Sequence, residues 1–282
     1  MSEAGERAKP LLDWDFHTHT VYSRHAHPDM SVLGSLRAAA AAGMKRYVIL
    51  EHVPEISTRR ATMQFWKHGR NERDQLDAIA ADLEIHRSNF PQIQILRGVE
   101  VDADPFNLDG SAMLDDFSGI DVVVGSTHVF PGGEAFWFDR VRLPPDAGLR
   151  VAHQWREWVV RFIRAGQIHV LAHPGDLLGA RQLIPPFNAP EIAGFFDPVF
   201  EAMADQGVAF ELNELLQRKI GPAYRESYPD LIKHARSFGV QFSLGSDAHR
   251  TDDVGRYEWV YDLIAASGLT AADWWNPPAA SA

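Results

Sequence analysis

The chain has 282 residues, no cysteine and a formal net charge of -11, a size that suits one α/β barrel or two smaller domains. Without cysteine there are no disulfides, thiolate ligands or thiol nucleophiles, so any metal must be held by nitrogen and oxygen. The acidic balance argues against general affinity for nucleic acid, whose binding is dominated by phosphate neutralisation. No apolar run approaches the ~20 residues of a membrane helix, and residues 1–10 are charged rather than leader-like, so a cytoplasmic location is expected.

Residues 1–10 read as a flexible N-terminal segment. A first apolar run, 11–16, reads as a buried strand and ends in His17-Thr18-His19, with His25 shortly after. Helical spacing over 31–42 stops at Gly43, and a second strand, 46–50, ends in Glu51-His52. A helix over 72–87 leads to a third strand, 93–101, which carries Glu100 near its end. The connection from 100 to 120 shows no helical pattern, and a fourth strand, 120–125, runs into His128. A helix over 149–165, closed by Gly166, precedes a fifth strand, 168–172, ending at His173. Helix 190–206 stops at Gly207 before strand 208–212 and Asn213; helix 228–238 stops at Gly239 before strand 240–244, Asp247 and His249. A last helix covers 252–266, and 277–282 form a flexible tail.

Seven strands alternating with glycine-ended helices predict a parallel sheet closed into a distorted, TIM-like (β/α)7 barrel. No linker or repeat divides residues 11–276, so a single domain is expected. The candidate ligands all fall at carboxyl ends of strands, the barrel face that carries chemistry. One His-x-His pair would mean little, since histidine often serves as a hydrogen-bonded interior residue. Glu100 is harder to dismiss, because a carboxylate following an apolar run is costly if buried unpaired, although a salt bridge to Arg97 is the structural alternative. His86, His153, His169 and His234 fall in helices or at a strand start and read as structural; His27 and His68 lie in loops on the proposed active face and stay ambiguous.

The set His17-x-His19, His25, Glu51-His52, Glu100, His128, His173-Pro174 and Gly245-Ser246-Asp247-x-His249 resembles the polymerase and histidinol phosphatase (PHP) superfamily, in order from Asp15 to Arg256. Within it, Gly125-Ser126-Thr127-His128-Val129-Phe130, Glu211-Leu212-Asn213, Arg218-Lys219 and Tyr228-Pro229 are most similar to monofunctional histidinol-phosphate phosphatases. The resemblance implies three divalent transition-metal ions, Zn, Fe or Mn. It implies that His17, His19, Glu100 and Asp247 hold the first. Glu100 would bridge to a second, completed by His128 and His173, and His25, His52 and His249 would hold the third.

Such ions would lower the pKa of a coordinated water from 15.7 to roughly 7 and neutralise phosphoryl oxygens. The expected activity is hydrolysis of a small phosphomonoester, first of all L-histidinol phosphate, with cleavage of nucleotide diesters or oligonucleotides as the alternative. Glu100, Asp247 and His249 form the expected catalytic set, Asp247 or a neighbouring histidine protonating the leaving alkoxide. Arg218, then Arg181, are expected to clamp the phosphate because both follow strand ends and carry a bidentate fork. Asn213 orients a ligand or binds substrate, and Asp15 and Glu51 are expected to support metal-bound imidazoles. Loops 54–70 and 130–142, rich in aromatics, would shape substrate choice. Oligomeric state is left open.

Overall fold

The apolar runs pair as parallel strands whose crossovers are helices, as a sheet buried on both faces requires. The computed structural model describes residues 12–53, 72–131 and 145–277. The segments 1–10 and 278–282, His68, loop 54–70 and most of loop 130–142 lie outside the described residues. The strands are β1 (Trp14–Asp15), β2 (Arg46–Ile49), β3 (His52–Val53), β4 (Gln94–Asp102), β5 (Val122–Ser126), β6 (Val170–Leu171), β7 (Ala209–Asn213) and β8 (Phe242–Gly245). Their order is β1-β2-β4-β5-β6-β7-β8, with β3 also on β4.

Eight segments therefore fill seven positions. β2 pairs with Gln94 to Arg97, and β3 pairs further along the same strand with Glu100 and Val101. The seam between first and last strands is closed by backbone bonds: Phe16 N to Leu244 O at 3.0 Å, Asp247 N to His17 O at 2.8 Å, and His19 N to Ala248 O at 3.0 Å. The expected distorted barrel is what forms. The connection after β4 has no helix; it folds back through an antiparallel bridge between Ala103 and Ala112.

The helices are α1 (Val32–Ala41), α2 (Glu72–Arg87), α3 (Pro145–Arg164), α4 (Asp176–Ala180), α5 (Asp197–Gln206), α6 (Leu216–Lys219), α7 (Pro222–Ser237) and α8 (Trp259–Ser267). Ser31 caps α1, its side chain accepting from Gly34 N at 3.0 Å. Trp155, Trp158 and Phe162 of α3 are fully buried in the apolar cluster that includes the β5 valines, each contributing roughly 2–3 kcal/mol.

Three helix predictions need correction. The stretch 190–206 breaks after Ile192, where Ala193 turns extended and Gly194 takes φ +74°, leaving only α5 helical beyond a single 3-10 turn. The helix predicted over 228–238 starts at Pro222, a residue favourable at a first helical position despite the interior Pro229. The helix predicted over 252–266 is a 3-10 turn at Thr251–Asp253 followed by α8. Among the described residues no helix is long and apolar enough to cross a membrane.

Candidate metal centre

Glu100 organises the carboxyl-end face. Burial alone would push its carboxyl up, but His52, His17 and His128 hold it well below the usual carboxylate range. Its side chain is fully buried and carries histidines on both oxygens. Oε2 lies 3.3 Å from His17 Nε2, 3.4 Å from His19 Nε2 and 2.8 Å from His52 Nδ1. Oε1 lies 3.4 Å from His128 Nε2 and 3.2 Å from His173 Nε2. Arg97, three residues away on the strand, faces elsewhere, its guanidinium lying against Gly119, so the structural alternative for Glu100 does not apply.

Asp247 completes the first group. Its Oδ1 is 3.3 Å from His19 Nε2 and 3.6 Å from His17 Nε2, and those two nitrogens are 3.1 Å apart. Four ligands at 2.0–2.1 Å around a tetrahedral ion stand roughly 3.3 Å from one another, so the spacing fits the donor set of a zinc-sized cation. His52 is buried with Nδ1 against Glu100 Oε2 and Nε2 without a hydrogen-bond partner; a buried imidazole nitrogen left so suits a metal-ligating role better than a packed interior. His25 Nε2 and His249 Nε2 approach to 2.9 Å. His52 clusters with His19 and His249 and also with Glu100 and His128, so it stands between the second and third expected groups rather than wholly within the third.

Two of the expected ligand positions lie in left-handed backbone, with φ +31° at His173 and +54° at Asp247. Such conformations persist in non-glycine residues only where surroundings over-determine them. Here His173 N donates to Glu211 Oε2 at 2.7 Å and Asp247 N to His17 O. Burial and the neighbouring His52 and His249 push the His19 imidazole well below the ordinary histidine value, and burial takes His249 down to about 4. Burial opposes protonation of His173 too, but Asp176 raises it to about 10.

The carboxylates that orient the imidazoles were not singled out from sequence for that role. His17 Nδ1 meets Glu211 Oε1 at 2.7 Å, His128 Nδ1 meets Asp102 Oδ2 at 3.1 Å, and His173 Nδ1 meets Asp176 Oδ2 at 2.9 Å. The available signal was charge within apolar strands: Asp102 shares the Glu100 face at i+2, and Glu211 lies mid-strand in Ala-Phe-Glu-Leu-Asn. Of the two expected supports, Glu51 reaches His19 through Ser23, whose hydroxyl contacts both Glu51 and His19 Nδ1. Asp15 requires correction. It touches no imidazole; its carboxylate accepts from the backbone N–H groups of His17, Ser246 and Gly255, pinning β1 to the loop after β8.

The remaining histidines separate as expected. His86 pairs with Asp82, His234 with Asp197, His153 stacks near Phe195, and His169 Nδ1 accepts from Val123 N. His27, in its loop, pairs with Asp29. Above the cluster opens a cavity of about 260 Å³ lined by His25, His52, His128, Leu215, Lys219, Asp247 and His249. Arg181 and Arg218 are not among its described lining residues. Arg181 closes α4, and Arg218 borders a neighbouring polar pocket with Asp253 and Arg256. Asn213 is buried: its Oδ1 accepts from Leu216 N at 3.0 Å, and its amide meets Glu211 and Asp247. It positions carboxylates and α6 rather than facing the cavity.

Comparison with known proteins gives the family and the fold. The PHP domain family matches residues 15–215, and the chain belongs to that family. A probable phosphatase of Photobacterium profundum is 28% identical over 254 residues, 89% of this chain and 83% of that protein. Another, from Thermoanaerobacter sp., is 25% identical over 91% of this chain and 86% of its own length. A histidinol phosphate phosphatase of Lactococcus lactis, solved with zinc, L-histidinol and phosphate, superposes with a TM-score of 0.64 at 18% identity, covering 92% of this chain and 94% of that one. The putative histidinol phosphatase of Listeria monocytogenes gives 0.57 at 19% identity, covering 86% and 97%. At such identities the likeness concerns the fold.

Proposed function

We propose that the protein is a metal-dependent phosphomonoesterase that hydrolyses a small phosphorylated metabolite, with L-histidinol phosphate the first substrate to test. The observation that carries this reading is Glu100, buried with imidazoles on both oxygens beneath an open cavity. The probable phosphatases among the relatives, and the zinc, histidinol and phosphate bound by the Lactococcus protein, support it. His17, His19, Glu100 and Asp247 would hold one ion, Glu100, His128 and His173 a second, and His25, His52 and His249 a third, with Zn, Fe or Mn as candidates. When bound, such ions supply positive charge against phosphoryl oxygens and lower the pKa of water toward neutrality.

The protein's own groups set the geometry. Glu100 spans the two sets of imidazoles, so its carboxylate would fix their ions at one spacing. Asp247 is held well below the usual carboxylate range, burial being outweighed by Lys219 and His17; it faces the cavity as an anion. His249 is fixed by its Nδ1 contact with Asp247 O at 2.8 Å and is neutral near pH 7. Leu215 gives the wall an apolar element against which a substrate's carbon framework can exclude water.

The test is phosphate release by metal-reconstituted protein from histidinol phosphate, nucleoside monophosphates, sugar phosphates and a short DNA strand. A monoester, histidinol phosphate foremost, is expected to turn over. Glu100→Ala is expected to lose bound metal and to reduce the rate beyond the roughly 10- to 100-fold that loss of an outer partner costs. Inactivity on every monoester, or preference for the DNA strand, contradicts the proposal.

A further inference from the structure

Arg218 and Lys219 are neighbours on α6, yet successive helical side chains diverge by about 100° and these two meet different surroundings. Arg218 is 63% exposed and reaches Asp253 at 3.8 Å. The Lys219 side chain is 12% exposed and places Nζ 3.3 Å from Asp247 Oδ2. Asn213 holds the start of the helix through Leu216 N and lies 3.4 Å from the same Asp247 oxygen. Lys219 also lines the cavity beside His25, His52, His128 and His249, and among its described lining residues it is the only lysine or arginine.

We propose that Lys219 binds the phosphoryl group of the substrate, its ammonium donating to a nonbridging oxygen in the cavity. The inference rests on the phosphomonoesterase reading and deepens it. An ammonium carries three donor hydrogens, so contact with Asp247 Oδ2 is compatible with a second contact to phosphate. A compact point charge also suits a phosphate oxygen that metals share, where a bidentate fork would need two oxygens at once. Asp247 divides its oxygens accordingly, Oδ2 toward Lys219 and Oδ1 toward His17 and His19.

The experiment compares metal-loaded wild type, Lys219→Met, Lys219→Arg and Arg218→Ala by elemental analysis, thermal unfolding and calorimetric titration with inorganic phosphate, together with KM and kcat on the ester hydrolysed. Lys219→Met is expected to keep its metals and cooperative unfolding while phosphate affinity falls roughly 10- to 100-fold, as for loss of a hydrogen bond to a charged group. KM rises in parallel, Lys219→Arg recovers part of the loss, and Arg218→Ala loses less than Lys219→Met. Should Lys219→Met not unfold cooperatively, Lys219→Gln carries the same comparison. Unchanged phosphate affinity without the lysine, loss of metals from that variant, a larger effect at Arg218, or a wild type that binds no phosphate overturns the proposal. Phosphate binding that depends on Lys219, in a protein that hydrolyses no monoester, supports the proposal and overturns the phosphomonoesterase reading alone.

Discussion

Glu211 joins two parts of the centre, with one oxygen on the His17 ring and the other on the backbone of His173. Asp102 holds His128 by both ring and backbone, at 3.1 and 2.7 Å. Partners of this kind fix the tautomer and direction of a ligating imidazole, so Glu211→Gln and Asp102→Asn are expected to weaken metal retention about 10- to 100-fold. Competition against a graded chelator, read by elemental analysis, checks this; retention equal to wild type in both would refute it. Most of the nine expected ligand positions stand out in the sequence because they lie at or just beyond an apolar run; His25, in the polar stretch after the Val21–Ser23 turn, does not. The outer carboxylates were visible as residues but not as partners, since their pairing is set by strand register across the barrel. Strand-end position likewise directed attention to Arg218, whereas the turn of a four-residue helix brings Lys219 to the cavity.

At the scale of elements, β8 can pass this close to β1 and β7 because Gly245 has no side chain. A Cβ there would collide with Glu211 Oε1 and lie 2.5 Å from His17 Cβ. Gly245→Ala is therefore expected to destabilise the protein by about 1–3 kcal/mol, in the range of overpacked interiors. Chemical denaturation of the variant provides the measurement, and an unchanged midpoint would mean that Glu211 and His17 yield without cost. The strand pattern was readable from apolar runs, including the absence of a helix after β4. The division of one position into β2 and β3 was not: Glu51 O leaves its own strand direction to accept from Glu100 N at 2.9 Å, a tertiary contact with no local signature. The break at Ala193 and Gly194 was equally hidden, because helical spacing continues on both sides.

For the whole molecule, the buried histidines give chelator-treated protein a defined response to pH. His173 has a folded pKa raised from 6.5 to about 10, so its contribution is full below 6.5 and is lost as pH rises through about 10. His249 is depressed from 6.5 to about 4; it stays neutral, and stability is lost as pH falls from 6.5 toward 4. Thermal unfolding in chelator should thus be most resistant near pH 6.5 and decline on both sides, whereas metal-loaded protein should gain stability through the alkaline range because metal ions bind deprotonated imidazoles. A flat profile in chelator between pH 5 and 9 would contradict this. The seam where Asp247 meets His17 and His19 also orders events in time. His17 and His19 of that donor group are made well before Asp247. A ribosome-bound nascent chain would therefore not complete the proposed first cation position until β8 and Asp247 have emerged, so that loading of that position would wait for the strand that closes the seam.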